Sequence, residues 1–381
     1  MIYMDNAATT WPKPETVYQT VDNCQRKRGG NPNRSGHHLS MLAGQVIFDT
    51  RKLVAKLFNI PNSSQVIFTP NATEAINLGI KGLLNTGDHV VTSSMEHNAV
   101  TRPLETAKKD GIEVTKIVTA PAMGLLPFQV EAAINSNTRM IILSHASNVT
   151  GTINPILEIG QIAHERGILF MVDCAQTAGI LPIDVQEMHI DILAFTGHKS
   201  MFGPQGTGGL YLKEGIFPRP LKDGGTGGNS ASLFLPDELP DRYESGTLNT
   251  PGIAGLGAGI DFLLQTGMAA IRAKERLLIR QLLDGLYQIP GVTVYGPDRN
   301  TERAPVLSFN IADMEPTQVA FMLDKIYGIA SRPGLQCAPD AHRTLETFPS
   351  GTVRLSLNYF NTKDEVDFCI DSIAKIAASN K

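Results

Sequence analysis

The chain has 381 residues, 42% of them hydrophobic and 18% charged, with a formal net charge of -4 at pH 7. That length exceeds one ordinary hydrophobic core and predicts about two domains, with enough buried area to need no disulfide or metal staple. The charge leaves no basic field for nucleic acid or an anionic membrane, and the cluster Gln25-Arg26-Lys27-Arg28 reads as a solvated helix end.

The opening MIYMDNAATTWPKPE has an acid, prolines and polar residues where a signal peptide has a basic start and an apolar run. No window approaches the ~20 apolar residues of a membrane span, so a cytoplasmic protein is expected. Residues 65–68 read as a strand, 73–84 as a helix, and 89–92, 140–143, 169–172 and 192–195 as further strands. Between them, segments such as 156–166 carry apolar residues at helical spacing. This alternation predicts an α/β fold, a mainly parallel sheet covered by helices on both faces. From about Gly252 the texture changes to a long helical region, strands at 306–310 and 353–357, and a last amphipathic helix over 363–377. That is the pattern of a smaller α+β domain. The glycine-dense loop 224–229 reads either as a mobile active-site loop or as an ordinary surface turn. Cys24, Cys174, Cys337 and Cys369 lie far apart without CxxC spacing, which suggests neither a zinc site nor a disulfide framework.

In open α/β sheets ligands collect at the carboxyl ends of the strands, so the polar residues after each apolar run are the candidates. TPNATEAINLG (69–79) enters a helix at Thr73. The Ala72 and Thr73 amides, a hydroxyl and the helix dipole suit a phosphate, while a plain helix cap is the alternative. Asp173 ends one run; it is either a turn former or a buried carboxylate facing a cation such as a protonated pyridine nitrogen. FTGHKSMFGPQGTGG (195–209) places Lys199 after Thr196 and His198. A desolvated lysine there is a nucleophile for Schiff-base chemistry, and a solvated one is not. His97 and Asn148 follow two more runs, an imidazole able to stack on an aromatic cofactor or carry protons and an amide able to reach a ring hydroxyl. Five successive strand ends carrying such groups point to one site.

Taken together the motifs are recognisable: YMDNAATT (3–10), NPNRSGHHLS (31–40), NATEAINL (71–78), MEHNAV (95–100), SNVTGTINP (147–155), VDCAQTAG (172–179), TGHKSMFGPQGTGGLY (196–211), ESGTLNTPGIAGL (244–256), RPGLQCA (332–338) and RLSLNYFNT (354–362). The set resembles the class V, fold-type I enzymes that use pyridoxal 5'-phosphate, specifically the cysteine desulfurase and selenocysteine lyase group. The resemblance implies a large cofactor-binding domain over 15–255 and a small domain formed by 256–381 with the segment 1–14. It implies that Lys199 carries the cofactor as a Schiff base and then moves protons, that Asp173 pairs with the pyridine nitrogen, and that His97 stacks on the ring. Gln176 would reach the phenolic oxygen and Asn148 the ring and substrate. Ala72, Thr73, Thr196 and His198 would hold the phosphate, joined by Thr247 from the neighbouring subunit of a homodimer. Arg354 would bind the substrate carboxylate, its planar fork suited to bidentate pairing.

Arg332 and Cys337 in RPGLQCA match the SufS-like subgroup, in which the cysteine receives sulfur from L-cysteine before a protein acceptor takes it. Pro333 and Gln336 depart from the family pattern, where a threonine or small residue and a histidine are common. A buried structural thiol is the other reading of Cys337. The alternatives in activity are a selenocysteine lyase, a sulfinate desulfinase, another class V aminotransferase, or a non-enzymatic interaction protein on the same fold.

Overall fold

The computed structural model describes residues 1–32, 35–120, 124–228 and 231–379. Asn33 and Arg34 of the NPNRSGHHLS motif and Asn229 of the glycine-dense loop lie outside these residues.

The first two thirds of the chain build a seven-stranded sheet in the order Val66–Thr69, Gly208–Leu212, Ile192–Thr196, Leu169–Asp173, Thr138–Ser144, His89–Ser93 and Glu113–Ile117. Every neighbouring pair is parallel except the two made by Gly208–Leu212, which runs antiparallel to both of its neighbours. The central strands are apolar on both faces. Ile141 and Leu143 enter one core with Val54, Ile159 and Ile253, while Met140 and Ile142 enter another with Ile76, Val100 and Leu104. Helices therefore cover both faces, the arrangement that a continuous apolar run in a strand requires.

The five strands expected in this sheet are present, each ending one residue later than the sequence indicates, and two further strands had no clear sequence signal. Glu113–Ile117 is an edge strand with a mostly polar sequence, and Gly208–Leu212 opens with two glycines. At Gly209 an added Cβ would meet the Phe195 ring at 2.3 Å, so packing against the neighbouring strand demands the glycine. The long helical region after Gly252 divides at Gly267 into Thr250–Thr266 and Met268–Leu286, bent by 84°. Among the described residues no single helix is long and apolar enough to cross a membrane.

The last third forms a four-stranded antiparallel sheet in the order Arg332–Gly334, Thr352–Ser356, Val306–Ile311 and Val292–Tyr295. Its core joins Leu278, Leu282, Phe309, Leu323, Leu355 and Ile373, and it also takes in Met4 from the N-terminal segment. That segment pairs Ile2–Tyr3 in parallel with Ile329–Ala330, then crosses to the large sheet. There Thr10 Oγ1 donates to the Lys199 carbonyl at 2.9 Å, and Lys13 Nζ donates to the His198 carbonyl at 2.6 Å.

One buried ion pair fixes the edge of the large sheet. Arg51 of the helix His38–Leu57 forks onto Glu244 through two bonds of 2.8 Å, and it donates to the Val66 carbonyl as well. Glu244 also accepts the Phe68 amide at 2.7 Å, so a single carboxylate holds both the strand that leads to Ala72 and the segment that leads to Thr247. Arg51→Ala should lower the unfolding free energy by about 3–5 kcal/mol in urea denaturation, because Glu244 is left as an uncompensated buried charge. Arg51→Met paired with Glu244→Leu should cost much less.

Candidate active site

A pocket of about 210 Å³ opens at the carboxyl ends of the parallel strands. Ala72, Thr73, His97, Asn148, Asp173, Gln176, Thr196, His198 and Lys199 line it from the large sheet, and Arg332, Gln336 and Arg354 from the small one. Six alanines, Ala7, Ala8, Ala72, Ala99, Ala146 and Ala175, contribute short side chains to its wall.

Each polar group is placed by a local rule. The helix Ala72–Leu83 is capped by Asn71, whose Oδ1 accepts from the Glu74 amide at 3.0 Å. Thr73 is thus not the cap, which overturns the bland alternative for that residue. His97 caps the helix Asn98–Ala107, its Nδ1 accepting from the Ala99 amide at 3.0 Å. That bond puts the ring proton on Nε2. Burial, then the nearby cations Lys199, Arg332 and Arg354, push the imidazole down to about 4, so it is neutral at pH 7.

Asp173 ends the middle strand of the sheet and is buried, with Oδ1 accepting from the Ala175 amide at 2.9 Å. Burial raises its pKa, against the Ala175 bond and the Lys199 charge, which lower it. Lys199 follows the adjacent strand, and desolvation of its amine lowers its pKa to about 8 despite the attraction of Asp173. A carboxylate and an amine in one dry pocket, both shifted toward neutrality, suit proton and Schiff-base chemistry. His198 is pushed down to about 4 by burial first and by Lys199 and Lys13 next, and its Nδ1 is buried without a hydrogen-bond partner among the described residues.

From the small sheet, Arg354 is 1% exposed, with Nη1 donating to the Asn148 carbonyl at 3.0 Å. Arg332 Nη2 lies 3.4 Å from Cys337 Sγ. Of the four cysteines Cys337 alone is exposed; burial raises the pKa of each of the other three. Gln336 and Cys337 both take left-handed backbone, with φ of 42° and 60°, a strained pair for non-glycine residues.

Anchors hold this turn in place. Asn148 Nδ2 donates to the Gln336 carbonyl at 2.7 Å, and the Asn98 amide donates to the Cys337 carbonyl at 2.7 Å. The buried Gln336 amide donates to the carbonyls of Arg332 and Thr352, which leaves Oε1 to accept from His342 Nε2 at 2.8 Å. Pro333 sits in an edge strand opposite Val353, where its missing N–H costs no ladder bond.

All of the sequence-predicted site residues line the pocket except Cys337, which lies beside it, and Thr247. Thr247 is on the surface, its hydroxyl accepting from Asn31 Nδ2 at 3.2 Å. Gln176 donates to the Ala7 carbonyl at 3.1 Å, a contact that joins the N-terminal segment to the pocket wall. Three residues escaped the sequence reading. Glu96 is buried and accepts from Ser93 and Ser144 hydroxyls at 2.6 Å each, tying together the two strands that present His97 and Asn148. Burial, with the Asp173 charge beyond it, raises Glu96 to about 7 against those bonds. The others are His342, beneath Gln336, and Asp5, beside Arg354.

The aminotransferase class V family model matches residues 2–368. A probable cysteine desulfurase of Methanothermobacter thermautotrophicus is 34% identical over 99% of this chain and 94% of its own length. One from Halalkalibacterium halodurans is 36% identical over 98% of this chain and 93% of its own. Among solved structures, an apo cysteine desulfurase from Thermococcus onnurineus superposes with a TM-score of 0.92 at 32% identity, over 99% of this chain and 95% of that one. The Escherichia coli cysteine desulfurase CsdA gives 0.87 at 30% identity, over 99% of this chain and 94% of that one.

The electrostatics of Lys199 are open to direct measurement. In cofactor-free protein, labelling of the Lys199 peptide by trinitrobenzenesulfonate should climb with pH to a midpoint near 8. Exposed surface lysines should follow the ordinary value of about 10.4. The sign follows from the lowered pKa, since the reactive neutral amine is populated above the midpoint and lost below it. A Lys199 midpoint that tracks the surface lysines would show that its amine is solvated.

Proposed function

Because the chain belongs to the class V aminotransferase family, we propose that it is a pyridoxal 5'-phosphate-dependent cysteine desulfurase that converts L-cysteine to L-alanine and leaves the sulfur on Cys337. The observation that carries this reading is the exposed Cys337 thiol beside the Lys199–Asp173 pocket, with the Arg332 guanidinium on its sulfur.

The residues fit the cofactor. The pocket presents the N-terminus of a 12-residue helix, and the buried Nδ1 of His198 lacks a partner among the described residues. Two arginines and a lysine against one buried aspartate match a phosphate and a substrate carboxylate together with a protonated ring nitrogen. When bound, the cofactor would supply an electron sink conjugated to the substrate's amine. Lys199 would hold it covalently, and its amine would move protons at the substrate. Asp173 would keep the pyridine nitrogen protonated, which a buried carboxylate does well because a ring cation relieves its desolvation. His97 would face the ring with its neutral imidazole, and Gln176 would meet the phenolic oxygen. Thr73, Thr196, His198 and the Ala72 amide would hold the phosphate.

Arg354 and Asn148 orient the amino acid, Arg354 through the α-carboxylate. The sulfur of Cys337, with the Arg332 guanidinium 3.4 Å from it, attacks the substrate's sulfur as a thiolate. An S–S bond forms as the substrate's C–S bond breaks, the electron pair remains with the β-carbon, and a proton delivered there completes the methyl group of alanine. Thr247, exposed on the surface, would reach the phosphate of a second copy, so the working unit is a homodimer. A protein or small thiol then collects the sulfur from the exposed Cys337.

Cys337→Ala should still bind L-cysteine and change the cofactor's visible spectrum. Alanine formation from cysteine should fall roughly 100-fold or more, the scale of losing a reacting group. Alkylation and mass spectrometry should find a persulfide on Cys337 in the parent protein alone. Selenocysteine, whose selenium leaves more readily, should lose less. Desulfuration by Cys337→Ala at the parent rate would replace this reading with a lyase or aminotransferase.

A further inference from the structure

Arg354 has a counter-ion of its own. Its Nη2 donates to Asp5 Oδ1 at 2.8 Å, while Nη1 is committed to the Asn148 carbonyl. The third nitrogen, Nε, is buried without a hydrogen-bond partner among the described residues. Asp5 does not depend on Arg354 for its place. The backbone around it is bridged in parallel to Ser356, Asn6 Nδ2 donates to the Ser356 carbonyl at 2.9 Å, and the Ala7 amide donates to Ser356 Oγ at 2.8 Å. The N-terminal segment thus delivers a carboxylate to the same guanidinium that lines the pocket.

A ligand carboxylate arriving at the Arg354 guanidinium shares one cation with the carboxylate of Asp5. Two like charges on a single guanidinium repel, and in a buried site the repulsion is poorly screened. Without Asp5, the buried cation would be uncompensated and would gain more from an incoming anion. Substrate and product carry the same α-carboxylate, so any change in this grip acts on both as uniform binding and leaves the chemical step untouched.

Resting on the reading of Arg354 as the α-carboxylate site, we propose that Asp5 is a specificity-determining residue, a resident counter-ion that loosens the hold of Arg354 on amino-acid carboxylates and so favours the release of alanine. It acts on ligands with a carboxylate and ignores simple amines.

The test titrates the dimeric holoenzyme with L-alanine and with ethylamine, its decarboxylated counterpart, following the visible absorption of the cofactor. In Asp5→Asn the dissociation constant for alanine should fall about tenfold, equivalent to one unit of charge coupling, with ethylamine unchanged. The KM for L-cysteine should fall with it, while kcat does not rise. An alanine affinity that is unchanged or weaker, or an equal shift for both ligands, overturns the proposal. Should Asp5→Asn not accumulate as folded protein, Asp5→Ser carries the same comparison. Arg354→Lys separates the two readings. If that variant leaves alanine binding intact, the carboxylate assignment of Arg354 falls; if it weakens alanine while Asp5→Asn fails to tighten it, the counter-ion role alone falls.

Discussion

The burial of Asp173 at the end of the middle strand is the constraint around which the site is arranged. A carboxylate taken out of water needs opposite charge or hydrogen bonds, and the Ala175 amide supplies one bond while Lys199 supplies charge from the adjacent strand. On the other side Ser144, paired in register with Asp173, carries the bonds to Glu96. Two buried acids and one desolvated amine are thereby strung along the ends of four neighbouring strands, with Ser144 between the two acids. Each raises the cost of ionising its neighbour or lowers it, and together they hold the pocket near a balance of protons. The parallel sheet makes this possible because it ends all of these strands on one side.

Much of this was legible from the residues themselves. The apolar runs ending in Ser93, Ser144, Asp173 and Thr196 are buried on both faces, so their ends stood out, and the polar residues after them converge on one pocket. Lys199 and Asp173 could be found because their chemistry is written next to a strand. Glu96 could not, since its neighbour His97 has the more conspicuous chemistry and its partner Ser144 lies 48 residues away. The same holds for Asp5, whose contact with Arg354 spans 349 positions and leaves no local trace. His342 reads as a surface helix residue beside Asp340 and Arg343, yet it is fully buried under the Cys337 turn. Edge strands such as Glu113–Ile117 escaped for the opposite reason: half in water, they have no apolar pattern to read.

The turn that carries Cys337 sets a strained backbone on a firm base. Left-handed conformations at Gln336 and Cys337 persist only because Asn98, Asn148, His342 and Thr352 together specify them. The sulfur is presented by an anchored turn, with its guanidinium partner drawn from the edge strand of the small sheet. Large and small sheets both contribute to that presentation, so the geometry of Cys337 reports on how the two are held together.

The N-terminal strap also governs when the site can exist. Residues 2–10 leave the ribosome long before their partners Ile329, Ala330, Arg354 and Ser356 are made. The large sheet can pair and bury its two cores well before then, with the first residues still unanchored on its surface. Only when the last strand of the small sheet has emerged does the beginning of the chain find its seat, bringing Asp5 to Arg354 and clamping the backbone of Lys199 from behind. A nascent chain is thus folded before it is reactive, and a truncated one that lacks its final tenth has no finished pocket in which to liberate sulfur.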